Sequence, residues 1–110
     1  MKKYKVFITD QADKDIRNIY EYIAYSLKAV ENAVNHIKRI EKAIYSLDSF
    51  PERHRLYELQ PWKNIKLHIL PVDNYCVFYV PDDKHLTVTI IRVIYGKMDI
   101  KKQLTLHTNI

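Results

Sequence analysis

Two β-rich runs separated by a short polar segment constrain this chain more than anything else in it. Val72-Asp73-Asn74-Tyr75-Cys76-Val77-Phe78-Tyr79 is followed by Thr89-Ile90-Ile91-Arg92-Val93-Ile94-Tyr95-Gly96-Lys97-Met98-Asp99, with Pro81-Asp82-Asp83-Lys84 between them. β-branched and aromatic residues on both sides of such a turn favour an antiparallel hairpin, with strands over about 74–80 and 86–95 and proline at the second position of a type I turn. The second run carries an arginine among aliphatic residues and ends on a tyrosine and the single glycine of the chain. A charge flanked by Ile90, Ile91, Val93 and Ile94 is costly to bury alone. Arg92 therefore either pairs with a carboxylate, Asp99 or Asp73, or serves as a functional cation.

Upstream, the apolar spacing changes from two to between three and four. Ala12, Ile16, Ile19, Ile23 and Leu27 fall on one helical face, and Ala33, Ile37, Ile40, Ile44 and Leu47 on another that stops before Pro51. Two amphipathic helices so closely linked are antiparallel neighbours. Residues 3–8 form a strand before them, ended by Thr9 and Asp10, which can cap the first helix. Residues 51–64, with Pro51 and Pro61 and no sustained period, form a loop. Ile65, Leu67 and Ile69 then alternate with Lys66, His68 and Leu70, the pattern of a half-exposed strand, closed by Pro71. Lys97 to Leu104 suits a short C-terminal helix, and 105–110 a frayed tail.

This order predicts an α+β fold in one domain, 1–110. An N-terminal strand, a helical hairpin and a three-stranded antiparallel meander form one sheet with the helices on one face, followed by the short C-terminal helix. A chain of 110 residues buries roughly two thirds of its unfolded surface. The sheet face away from the hairpin is expected to stay open, the natural place for a site.

Charge is unevenly spread. Residues 9–49 hold six Lys/Arg against seven Asp/Glu, whereas residues 1–8 carry a net +3 and residues 50–110, nine against six, another +3. The excess lies off the helices and suits an acidic protein or a polyanion. No apolar stretch approaches the roughly 20 residues of a membrane span, and the start of the chain has too short an apolar run for a signal peptide. A cytoplasmic protein without membrane contact is expected.

The residue inventory excludes several chemistries. One glycine cannot build a phosphate-cradling loop. The five histidines lack metal-ligand spacing, so no metal or other cofactor is expected. No serine sits in a nucleophile elbow, and the lone Cys76 in an apolar strand reads as a small core residue. The tyrosines at 20, 22, 25 and 45 fall beside the helical stripes, as core edge or partner surface. What remains is basic and aromatic: Arg53, His54, Arg55, Lys63, Lys66, His68, Arg92, Tyr95 and Lys97. Such a set can hold RNA, with cations on phosphates and rings on bases. In a metal-free ribonuclease His68 or Lys66 would be the base and Arg92 the phosphate clamp, with Tyr95 beside them. Arg53, Arg55, Lys63 and Lys97 would bind the target. The competing reading is that alternating polar residues on a strand simply face water.

Residues 4–104 resemble the RelE/ParE family of bacterial toxins. The first strand ends in Thr9-Asp10-Gln11-Ala12, a helical hairpin leads to Pro51-Glu52-Arg53, and Val72 to Tyr79 precedes the ending Arg92-Val93-Ile94-Tyr95-Gly96-Lys97-Met98-Asp99. The resemblance implies a toxin of a type II toxin-antitoxin pair, silenced by a cognate antitoxin that wraps it. Its ribonuclease branch cleaves ribosome-bound mRNA. Lys66 matches a lysine of that branch, but Cys76, Met98 and Leu104 stand where it has two arginines and a tyrosine. The Arg92 to Gly96 ending is similar to the ParE branch, which inhibits DNA gyrase and commonly has arginine in place of Met98. The alternative is a non-catalytic basic module, or a degenerate toxin, that binds an acidic protein or nucleic acid.

Overall fold

The computed structural model describes residues 2–107. Its elements are β1 (Lys5–Ile8), α1 (Asp10–Glu21), α2 (Val30–Tyr45), β2 (His68–Val72), β3 (Tyr75–Asp82), β4 (Thr87–Tyr95) and α3 (Ile100–His107). The strands lie in the order β1-β4-β3-β2. The meander is antiparallel and β1 runs parallel to β4, so the expected α+β architecture is present with a mixed sheet.

Both helical stripes form, and their contacts explain where they end. Thr9 Oγ1 accepts the Ala12 N–H (3.1 Å) and caps α1 as anticipated. Ala12, Ile16, Ile40, Ile44 and Leu47 bury against Val77, Tyr79, Val88, Ile90 and Val93. Leu27 departs from its stripe and is 56% exposed. Residues 22–26 form a π-helical turn in which the Leu27 N–H reaches back five residues to the Tyr22 carbonyl (3.1 Å). The extra residue rotates the chain beyond it, so Ala24 is buried and Leu27 turns outward.

Other boundaries shift for local reasons. Lys66 takes a left-handed conformation (φ 59°) after a 3₁₀ turn over 62–65, so β2 begins at His68 and not at Ile65. Pro71 lies within β2, an edge strand, where a missing N–H is tolerated. Pro81 also pairs within a strand, opposite Val88, and lies past the last β2 partner of β3. The turn is thus 83–86, organised by Asp82, whose Oδ1 accepts the N–H groups of Lys84 (3.0 Å) and His85 (3.1 Å). Residues 105–107 belong to α3 and are no tail; 108–110 fall outside the described residues. A Cβ at Gly96 would crowd the Asn74 carbonyl, meeting its oxygen at 3.2 Å.

The second sheet face is not open as expected. Trp62 and Leu67 from the loop and Leu104 from α3 bury against Ile69, Phe78 and Ile94. Tyr57 adds edge-on contacts to Trp62 and Phe78. Phe7 on β1 is left 45% exposed on the sheet's other flank. The two stripe ends make a stability test. Leu47→Ala should cost about 2–5 kcal/mol, whereas Leu27→Ala should stay within about 0.5 kcal/mol, as read by urea denaturation.

Candidate functional site

The buried centre of the C-terminal half is an ion pair between Arg92 on β4 and Asp15 on α1. Nε and Nη2 of Arg92 donate to the two carboxylate oxygens at 2.6 and 3.0 Å, and the side chains are only 4% and 8% exposed. Nη1 donates to the Gln103 carbonyl of α3 at 2.6 Å. Asp15 also accepts the Val93 N–H (3.0 Å) and Gln11 Nε2 (3.2 Å).

Backbone geometry creates the need for this pair. Tyr79 pairs with Ile90 and Phe78 with Arg92, so Ile91 is an extra residue bulged out of β4. β1 ends at Ile8, opposite Ile90, and beyond it β4 has no strand on that side. The start of α1 takes over: Thr9 N–H donates to the Ile90 carbonyl, the Thr9 hydroxyl to the Ile91 carbonyl, and Asp15 accepts from Val93. Arg92 is therefore a structural pair, and its partner is neither Asp99 nor Asp73. Asp99 accepts the Lys102 N–H at the start of α3. Asp73 holds Arg39 (2.8 Å) and His36 (3.4 Å), and the Arg39 hydrogen bond keeps its carboxyl below the usual carboxylate range. One signal for Asp15 was available, since it lies three residues from Ala12 and four from Ile19, on the apolar stripe itself.

Above the ion pair opens a groove of about 940 Å³ between the tip of the helical hairpin and the ends of β3 and β4. Tyr22, Tyr75 and Tyr95 share it with His36, Asn74 and Met98. The Tyr75 and Tyr95 rings lie 5.7 Å apart, and the Tyr75 hydroxyl is pushed up by burial and by its tyrosine neighbours. Of the groove residues only Arg92 and Tyr95 were among the candidates. Tyr22 reads in the sequence only as core edge or partner surface, and His36 and Asn74 carry no signal there, because the three come together from separate parts of the chain.

The remaining candidates do not join this groove. His68, the first residue of β2, is buried against Tyr79 in the middle of β3, roughly 13 Å of strand away from Tyr75 and its partner Tyr95. Its Nδ1 donates to the Lys66 carbonyl (2.7 Å), so it is no solvent-facing base. Lys66, Arg55 and Lys97 are exposed. Lys63 pairs with Glu58 (3.4 Å). Arg53 donates to the Ser46, Ser49 and Phe50 carbonyls, closing the end of the helical hairpin. Cys76 is only partly buried, packed at the margin of the second cluster, and burial pushes its thiol up. Among the described residues no group of His, Cys, Asp and Glu could hold a metal, and no helix is long and apolar enough to cross a membrane.

The family model for the ParE toxin of type II toxin-antitoxin systems matches residues 6–100. Among solved structures, the chromosomal ParDE toxin-antitoxin system of P. aeruginosa superposes with a TM-score of 0.71 at 15% identity, covering 86% of this chain and 98% of that one. The RelBE2 toxin-antitoxin complex of Mycobacterium tuberculosis gives 0.62 at 20% identity over 84% and 98%. A mutant of the E. coli toxin RelE in the free state gives 0.62 at 13% identity over 92% of each chain. At these identities the structural likeness is one of fold. No curated protein sequence matches. With nearly its whole length matched, the chain belongs to the ParE toxin family of type II toxin-antitoxin systems.

Two outcomes check this geometry. Arg92→Ala leaves Asp15 buried without its cation and should cost about 3–5 kcal/mol; Asp15→Leu combined with Arg92→Met should recover part of that in the same denaturation experiment. The second concerns His54, whose Nε2 is enclosed with no hydrogen-bond partner among the described residues and whose ring stands edge-on to Tyr79. Burial, then Arg53 and His68, lower its pKa from 6.5. The folded state thus binds fewer protons, so stability is full above about pH 6.5 and falls as pH drops through that value toward the folded pKa. His54→Gln should flatten the melting temperature between pH 7 and 5, leaving the loss below pH 4, where Asp73, Asp82 and Asp83 titrate, unchanged.

Proposed function

We propose that this toxin arrests growth by binding a protein target, DNA gyrase, and that a separately encoded antitoxin silences it. The observation that carries the choice of target is the state of Arg92: all three of its guanidinium nitrogens are committed within the protein. A metal-free ribonuclease needs a free cation on the phosphate and a base beside it. Here the clamp is spent on Asp15, and His68, on β2 with β3 between it and β4, is buried against Tyr79. The tyrosine-lined groove over a neutralised ion pair is the kind of surface that binds protein, where rigid amphipathic rings give contact area at low entropic cost. Tyr22, Tyr25, Leu27 and Val30, all more than half exposed around the hairpin tip, extend it. The P. aeruginosa and M. tuberculosis relatives were solved as toxin-antitoxin assemblies, which supports an antitoxin partner for this chain.

Induction of the chain alone should slow growth, and co-expression of the reading frame beside its gene should restore it. Purified chain should inhibit gyrase supercoiling, and Tyr22→Ala with Tyr95→Ala should weaken inhibition about tenfold or more at unchanged melting temperature. Cuts in ribosome-bound mRNA with supercoiling untouched would instead support the ribonuclease branch. Normal growth at confirmed expression would leave the non-catalytic binding module or a degenerate toxin.

A further inference from the structure

An exposed sulfur stands at the rim of the groove at the hairpin tip. Sulfur occurs in the chain at Met1, Cys76 and Met98. Met98 lines the groove together with Tyr22, Tyr75 and Tyr95, and it is 53% exposed. Its backbone is fixed on both sides. The Met98 N–H donates to the Tyr95 carbonyl (3.0 Å), and Asp99, which accepts the Lys102 N–H (3.1 Å), starts α3 directly after it. The thioether therefore reaches water from a held position, beside the rings that give the groove its character.

Cys76 and Met98 differ in what a peroxide can do to them. A thiol reacts as its thiolate, and Cys76 is packed at the margin of the second cluster, where burial disfavours that form. A thioether has no proton to lose, so its oxidation depends on access, which Met98 has. A lone pair on Sδ attacks one oxygen of hydrogen peroxide, and the S–O bond forms as the O–O bond breaks. The departing hydroxide takes the proton of the transferred oxygen and leaves as water. Sulfur is oxidised to the sulfoxide and the peroxide is reduced. The side chain changes from apolar to polar, and burying that new acceptor against a partner costs free energy unless a donor meets it.

We propose that Met98 is an oxidation site through which hydrogen peroxide weakens the groove's hold on its protein target, and that a thiol-driven sulfoxide reductase restores it. The inference rests on the reading of the groove as the target-binding surface. Because the Met98 side chain is more than half exposed, the added oxygen changes recognition and leaves the fold intact.

The test treats the purified chain with dilute hydrogen peroxide, removes the peroxide, and follows the peptide map, the melting temperature and the inhibition of gyrase supercoiling. The map should show an added oxygen on the peptide that contains Met98 and none on the one that contains Cys76. The melting temperature should not move. Inhibition should weaken about fivefold or more and return after treatment with reductases for both sulfoxide epimers and their thiol reductant. Met98→Leu, whatever its own potency, should show no difference between treated and untreated samples, which also sets aside oxidation at Met1. Cys76→Ala should keep the difference. Inhibition indifferent to the sulfoxide, a difference that persists in Met98→Leu, or a Met98 that survives while Cys76 is oxidised overturns the switch and leaves the target reading standing. Untreated chain that leaves supercoiling untouched removes the target reading and the switch together.

Discussion

Arginine cannot be left alone inside a protein, and the C-terminal half of this fold is organised around that fact. Placing Arg92 in a buried strand requires a carboxylate, and only α1 brings one there, because β1 stops at Ile8 and lets the helix start run along the bare side of β4. The same carboxylate answers a second need, the unpaired Val93 N–H beyond the end of β1. The Gln103 carbonyl answers a third and draws α3 onto the far side of the sheet. One charged pair thereby ties together a helix, a bulged strand and the C-terminal helix. Such a pair adds less net stability than an apolar substitute could, since desolvation offsets most of the attraction, but losing either member is expensive. What the pair supplies here is geometry.

That geometry shapes the surface above it. Once Asp15 and Arg92 neutralise each other, the groove floor presents little charge, and its walls are tyrosine, asparagine and methionine. His36 and Arg39 are likewise occupied by Asp73. The basic excess lies elsewhere, on β1, on the loop before β2 and near α3. Phosphate recognition depends on unpaired cations, whereas protein recognition depends on rings that bury well and keep a polar tip. The division of charge thus favours separate roles for the neutral groove and the basic surfaces.

Much of the fold was legible because it depends on local rules. The two stripes, the Thr9 cap and the β3–β4 hairpin arise from spacing and side-chain chemistry within a few residues, and each is present. Where the local rules failed, a more distant contact had intervened. Leu27 left its stripe because a π-helical turn inserted a residue. Pro81 entered a strand because the edge beside it was open, and Asp82 then built the turn. The second sheet face reads as open in the sequence because no periodic segment remains to cover it, yet Trp62, Leu67 and Leu104 cover it, the first two from irregular chain.

The candidate site divides along the same line. Composition and order alone determined that this is a small α+β protein with its excess positive charge off the helical hairpin, and that Arg92 needed a partner. They did not determine which partner, since Asp73 and Asp99 are nearer in sequence and Asp15 is 77 residues away. Only the tertiary structure decided that His68 turns inward against Tyr79, that Arg92 is occupied, and that Tyr22, Tyr75 and Tyr95 converge. Residue types and spacings set what each segment can do by itself, while the directions in which side chains finally point depend on register, bulges and edges, which exist only once distant strands and helices have met.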